Sequence, residues 1–181
     1  MALPRPHILL VSALLVGVLA LAAPAGASAA SCAFDAASPS SVSNKTAVRT
    51  TACLLNRERA AHGLRKVRLN GRLSKAAARH ARDMVRRHYF SHVSLSGSTF
   101  LQRIKRTGYL RRARSWSAGE NIAWGSGGYA TPRSIVRAWM NSPPHRENIL
   151  NGRFREIGLG VARGAPRGGG ATYVNEFGYR H

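Results

Sequence analysis

The chain has 181 residues, enough for one ordinary domain and too few for two large ones. Charged residues make up 19% and hydrophobic ones 44%, a globular mixture rather than a disordered one. Lys and Arg number 28 against 7 Asp and Glu, a formal charge of +21 that excludes preference for a cationic partner and favours nucleic acid, acidic envelope polymers or anionic lipid heads.

Residues 1–30 have the layout of a cleaved secretory signal. Arg5 and the amino terminus are positive, Ile8 to Leu21 is apolar and uncharged, and Pro24 and Gly26 precede the small run Ala27-Ser28-Ala29-Ala30. The apolar run falls short of the roughly 20 residues that span a bilayer, so no transmembrane segment is expected after cleavage near Ala29 or Ala30. Cleavage removes only Arg5 among the charged residues and leaves about +20. Export argues against nucleic acid as the partner and leaves anionic envelope polymer or lipid. Cys32 and Cys53 form an even pair in an oxidising compartment, which favours one disulfide between the mature N-terminus and the first helix. The alternatives are a free Cys32 with a buried Cys53, or a lipidated Cys32.

Residues 31–44 are rich in Ser, Ala and Pro, a tether with little core potential, so the domain is set at 45–181. From Lys45 to His62, Ala47/Val48, Ala52, Leu55 and the stem of Arg59 recur at helical spacing, with Gly63 placed as a C-cap. A second helix is expected from Leu73 to His88. Leu73, Ala77, Ala81, Met84 and Val85 line one face of it, and Lys75, Arg79, Arg82 and Arg86 fall mostly on another. Ser98 or Thr99 caps a short third helix through Phe100, Leu101 and Ile104 that ends at Gly108. Arg111-Arg112-Ala113-Arg114 is a basic loop. Thr131-Pro132 opens a helix through Ile135, Val136 and Trp139, which Pro143-Pro144 stops. Ile157, Leu159 and Val161 then alternate with Gly158, Gly160 and Ala162, as in a strand with one crowded face. Arg163 to Gly170 reads as a hairpin loop and Thr172 to Tyr179 as the return strand. Helices first and antiparallel strands last define an α+β class, helices packed against a small sheet.

Three strings place a His or a Glu beside an aromatic or apolar anchor: Tyr89-Phe90-Ser91-His92, Gly119-Glu120-Asn121-Ile122-Ala123-Trp124, and Trp139 through Leu150 with His145 inside it. Two neutral imidazoles and a carboxylate, from His92, His145 and Glu120, suit Zn²⁺ or another divalent metal with a position left for water. The same set can act as base and acid. Singly, each residue also has a bland role, Glu120 as a helix cap or an arginine's partner.

These strings resemble the CAP superfamily, or SCP domain, of cysteine-rich secretory proteins, antigen 5 and pathogenesis-related proteins, and its bacterial secreted members most. The likeness runs from about Thr50 to Tyr179. It is carried by Asn56-Arg57-Glu58-Arg59, the His after helix two, Gly-Glu-Asn-Ile, Trp-x-x-Ser-x-x-His-Arg-x-Asn-Ile-Leu and Phe-x-Glu-Ile-Gly-x-Gly. The resemblance implies an α-β-α sandwich with a central antiparallel sheet and a cleft in which two His and two Glu can hold a divalent metal. His92, Glu120 and His145 match three of these positions. Ser142 stands at the fourth, as is usual among bacterial relatives, and Glu147 two residues beyond His145 points away. The cleft expected here therefore comprises His92, Glu120, Asn121, Ser142 and His145, with His92 and His145 as the metal-binding pair. No Ser/His/Asp or Cys/His nucleophile is evident. The expected function is a secreted binding module of the envelope. The alternatives are a metal-assisted or acid/base hydrolase acting on peptide or envelope material through His92, Glu120 and His145, and a cationic lipid- or membrane-surface protein whose charge includes Arg111, Arg112 and Arg114.

Overall fold

The computed structural model describes residues 31–181, so the expected signal and its cleavage point lie outside the described residues. The elements in chain order are α1 (Asn44–Ala61), β1 (Arg68–Leu69), α2 (Gly71–Arg86), α3 (Phe100–Arg106), β2 (Trp116–Gly125), a 3-10 turn (Gly127–Ala130), α4 (Pro132–Met140), α5 (Pro143–Leu150), β3 (Glu156–Ala165) and β4 (Gly168–Arg180). Helix starts follow local chemistry. The side chains of Ser43, Asn70, Thr99 and Thr131 accept bonds from first-turn backbone N–H groups that would otherwise lack partners. Thr99 and Gln102 do so reciprocally.

The sheet order is β1-β3-β4-β2. β3 and β4 form an antiparallel hairpin, β2 pairs antiparallel with β4, and the two-residue β1 pairs parallel with β3. The period-2 alternation of β3 sorts the core into two layers. Ile157, Leu159 and Val161 face α1, α4 and α5, where they pack with Leu54, Leu55, Trp139, Ile149, Tyr173 and Phe177. Ala162, Val174 and Ile122 face α2 and pack on Ala77, Ala81 and Met84. The result is the expected α-β-α sandwich.

Gly158 and Gly160 explain the crowded face. A Cβ at Gly158 would strike the Leu73 and Ser74 backbone, and one at Gly160 would strike Ala77 and Ala78. The α2 backbone thus rests directly on β3. Gly160→Ala is expected to cost about 3 kcal/mol, because helix backbone cannot rotate aside as a side chain can. Urea unfolding checks this, and a loss below about 1 kcal/mol would show that α2 can shift.

Several local expectations are corrected. Pro143 and Pro144 do not stop α4, which ends at Met140; they occupy the first turn of α5, where a missing N–H costs nothing. The β3–β4 loop shrinks to Pro166-Arg167, with both strands longer than expected. The sheet is mixed at its β1 edge rather than wholly antiparallel. A whole strand, β2, was not anticipated. Arg59 buries its guanidinium as well as its stem and donates to Arg65 O at 2.9 Å, Ile149 O at 2.6 Å and Asn151 O at 3.0 Å, tying α1 to the α5–β3 turn.

The segment before α1 is docked. Cys32 is buried and bridged to Cys53 of α1 with Cα atoms 5.8 Å apart, so it has no thiol left to lipidate. Arg133 of α4 makes a two-point ion pair with Asp35 at 2.7 and 3.1 Å, and Thr50 donates to Ala33 O at 2.8 Å. Closing this loop is worth about 3 kcal/mol. Cys32→Ser/Cys53→Ser is expected to lose about that much in urea unfolding.

Candidate functional site

The site is built across β2, the edge strand opposite β1, whose alternation sends Glu120 and Ile122 toward α2 and Gly119, Asn121 and Ala123 toward α5. Glu120 is buried and accepts two bonds. His92 Nδ1 lies 2.7 Å from Oε1, and Arg103 Nη2 donates to Oε2 at 2.6 Å. Arg103, itself buried on α3, also donates to His92 O at 2.9 Å, Ser98 O at 2.8 Å and Ser94 Oγ at 3.2 Å. One guanidinium therefore holds both the carboxylate and the loop that carries the imidazole. His80, buried on α2, adds a further tie from Nε2 to Ser91 O at 2.9 Å.

His92 is held from behind and open in front: its side chain is 47% exposed while that of Glu120 is 1% exposed. With Nδ1–H donated to the carboxylate, Nε2 of a neutral ring points its lone pair outward. Burial raises the Glu120 pKa, but the hydrogen bond from His92 and the Arg103 charge outweigh it, and the net direction is down. Glu120 is a permanent carboxylate at neutral pH.

The second half of the site comes from the other layer. Asn121 is fully buried, donates to His145 O at 2.9 Å and accepts from Asn148 Nδ2 at 2.9 Å, which fixes the first turn of α5. Ser142 is the N-cap residue of α5 and makes no capping bond, so its hydroxyl is uncommitted. Burial, with the nearby His92 second, lowers the His145 pKa, so His145 is neutral at neutral pH. The five expected cleft residues thus fall into two roles. His92, His145 and Ser142 are partly or fully open, whereas Glu120 and Asn121 are buried and position them.

Among the described residues no group of three or more His, Cys, Asp or Glu side chains is placed to hold an ion. Both Glu120 oxygens are engaged, one by a guanidinium that opposes a second cation. Zinc titration is accordingly expected to give no tight site. Stoichiometric binding lost in both His92→Ala and His145→Ala would reverse that expectation.

Two partners of this site lay outside the sequence reading. His80 occupies the apolar stripe of α2 with Leu73, Ala77, Ala81 and Met84, a spacing that marks it as inward-facing. Nothing separates Arg103 from the other cations of α3 by pattern. Glu176 lies directly across the β2–β4 ladder from Glu120, fully buried, with neither oxygen hydrogen-bonded.

The fold agrees with comparisons to known proteins. The model of the CAP family, the cysteine-rich secretory protein family, matches residues 54–177, and the chain belongs to that family. It is 40% identical over 124 residues to the uncharacterized protein YkwD of Bacillus subtilis, covering 67% of this chain and 44% of that protein. It is 34% identical over 110 residues to the uncharacterized membrane protein YlbC of the same organism, covering 61% and 30%. The chain therefore spans less than half the length of either relative. Among solved structures it resembles an extracellular SCP-domain protein of Bacillus anthracis, with TM-score 0.63, 28% identity, and coverage of 74% of this chain and 40% of that one. It shares the fold of an outer surface protein of Borrelia burgdorferi, with TM-score 0.64, 23% identity and coverage of 77% and 97%. Among the described residues no helix is long and apolar enough to cross a membrane.

Proposed function

We propose that this chain is an extracytoplasmic binding module that takes a polar ligand between His92, Ser142 and His145. The observation that carries the reading is the Arg103–Glu120–His92 chain, two buried groups spent on fixing one half-exposed imidazole. Fixing a donor or acceptor before binding lowers the entropy lost on association. A second imidazole and an uncapped serine hydroxyl offer further polar contacts. The expected signal sequence and the disulfide fit a location outside the cytoplasm, as does the likeness to an extracellular SCP-domain protein.

The same geometry favours a second reading. A carboxylate on Nδ1 leaves Nε2 as a general base able to activate water in a hydrolase. One experiment separates the two. Wild type, His92→Ala and His145→Ala are incubated with isolated envelope fractions, and retained protein and released soluble fragments are both measured. Retention without release, lost in both variants, supports the binding module. Release that depends on His92 supports the hydrolase. Retention and release unchanged in both variants would end both readings.

A further inference from the structure

A second surface, distinct from the open face of His92, lies on the outer face of α2. Apart from Gly71 at its first position, every fully exposed residue of this helix is basic: Arg72, Lys75, Arg79, Arg82 and Arg86. Their spacing alternates three and four, which places them in one row. At 1.5 Å per residue the row is about 21 Å long with a cation roughly every 5 Å. Packing does not require it, because the opposite face already buries Leu73, Ala76, Ala77, His80, Ala81 and Met84. The one acid of the helix, Asp83, is committed to the Tyr89 hydroxyl at 2.6 Å and reaches Arg86 at only 3.4 Å. Like charges at these spacings repel along a helix, so the row costs stability unless an anion covers it.

The row is also flanked. Arg79, Arg82 and Arg86 line one open cleft together with Arg87 from the end of α2, Arg106 of α3 and Arg163 of β3. Cations from three elements thus face a trough. A flat bilayer meets a plane, whereas a thread of repeating anions fits a trough and can place one charge against each step of the row. Four of the five row residues are arginine, whose planar guanidinium makes two-point bonds to phosphate oxygens.

We infer that the α2 trough binds a linear phosphodiester polymer of the cell envelope, its phosphates lying along Arg79, Arg82 and Arg86 and continuing over the exposed Lys75 and Arg72. The trough's charge differs from that of the Arg111, Arg112, Arg114 loop, which is basic but offers no repeating row.

The test is binding of the exported protein to labelled poly(glycerol phosphate) by fluorescence anisotropy across a salt series. Arg79→Gln/Arg82→Gln/Arg86→Gln is expected to weaken binding about thirtyfold at 0.1 M salt and to lower the slope of log K against log salt by about 2. Arg111→Gln/Arg112→Gln/Arg114→Gln removes the same charge and is expected to weaken binding less than threefold. Circular dichroism confirms that both variants fold. Equal losses in the two variants would overturn the proposal, because net charge alone would then account for binding. Equal affinity for polyglutamate would overturn the phosphodiester. Tighter binding to phosphatidylglycerol vesicles would assign the face to a membrane, and tighter binding to single-stranded DNA of equal phosphate number would assign it to nucleic acid.

Discussion

Arg103→Met is expected to lower the unfolding free energy by roughly 3–5 kcal/mol, the cost of leaving a buried charge without its partner. The native carboxylate of Glu120 loses its closest cation, at 2.6 Å, and is buried away from bulk solvent. Three loop contacts, to His92 O, Ser94 Oγ and Ser98 O, go with the guanidinium. Against a total stability of about 5–15 kcal/mol this is a large fraction. The companion variant Arg103→Met/Glu120→Gln, which removes both charges, is expected to recover at least half of the loss. Urea unfolding at pH 7 reads both. A double variant no better than the sum of its two singles would show that the ion pair does not hold the site together. The expected recovery would also separate two kinds of damage, since the double variant restores charge balance but not the loop contacts that aim His92.

Glu176→Gln is expected to stabilise the protein, and more so as pH rises. Glu176 sits in the core opposite Glu120, with Arg103 and Glu120 the charged groups that act on it. Burial, and then the Glu120 charge, push its pKa well above the ordinary carboxylate value, against a smaller opposing pull from Arg103. The folded protein therefore holds a proton that the unfolded chain releases. The stability this provides is full below the ordinary carboxylate range and is lost as pH rises toward the folded pKa, by up to about 1.4 kcal/mol per pH unit. Glutamine keeps the shape and never ionises, so its advantage should widen between pH 5 and pH 7. Glu120 works with the opposite sign: its lowered pKa adds stability above the ordinary carboxylate range that is lost on acidification. Comparing wild type with Glu176→Gln at each pH cancels that contribution. Parallel stability curves for the two proteins would mean that Glu176 is a carboxylate in the native state.

The sequence carried the helical layers and the hairpin because their signals are local. The apolar stripes of α1 and α2, the Thr131-Pro132 start and the Ile157-Leu159-Val161 alternation each arise within one element and survive without knowledge of the partner. Strand β2 was hidden for a physical reason. Its centre carries Glu120 on one face and Asn121 on the other, and these two buried polar groups break the apolar alternation that marks a strand. Pro143-Pro144 misled because proline ends one helix and begins another with equal ease, and only the backbone says which.

The candidate site divides the same way. His92, Glu120, Asn121, Ser142 and His145 were legible as short strings and through the family likeness, and the Cys32–Cys53 pair was legible from count and compartment. Their roles were not. That His92 is open, that Glu120 is committed to Arg103, and that Asn121 pins α5 all depend on burial and on contacts between residues 11 to 28 positions apart. The buried core acid Glu176 and the inward His80 and Arg103 depend on them too, since a charge's cost is set by its distance from water and from its partner. The sequence by itself determined the layers, the family and the disulfide. Only the tertiary structure decided which of the candidate residues are open to solvent and which are buried, and that the Glu120 carboxylate is bound by the Arg103 guanidinium.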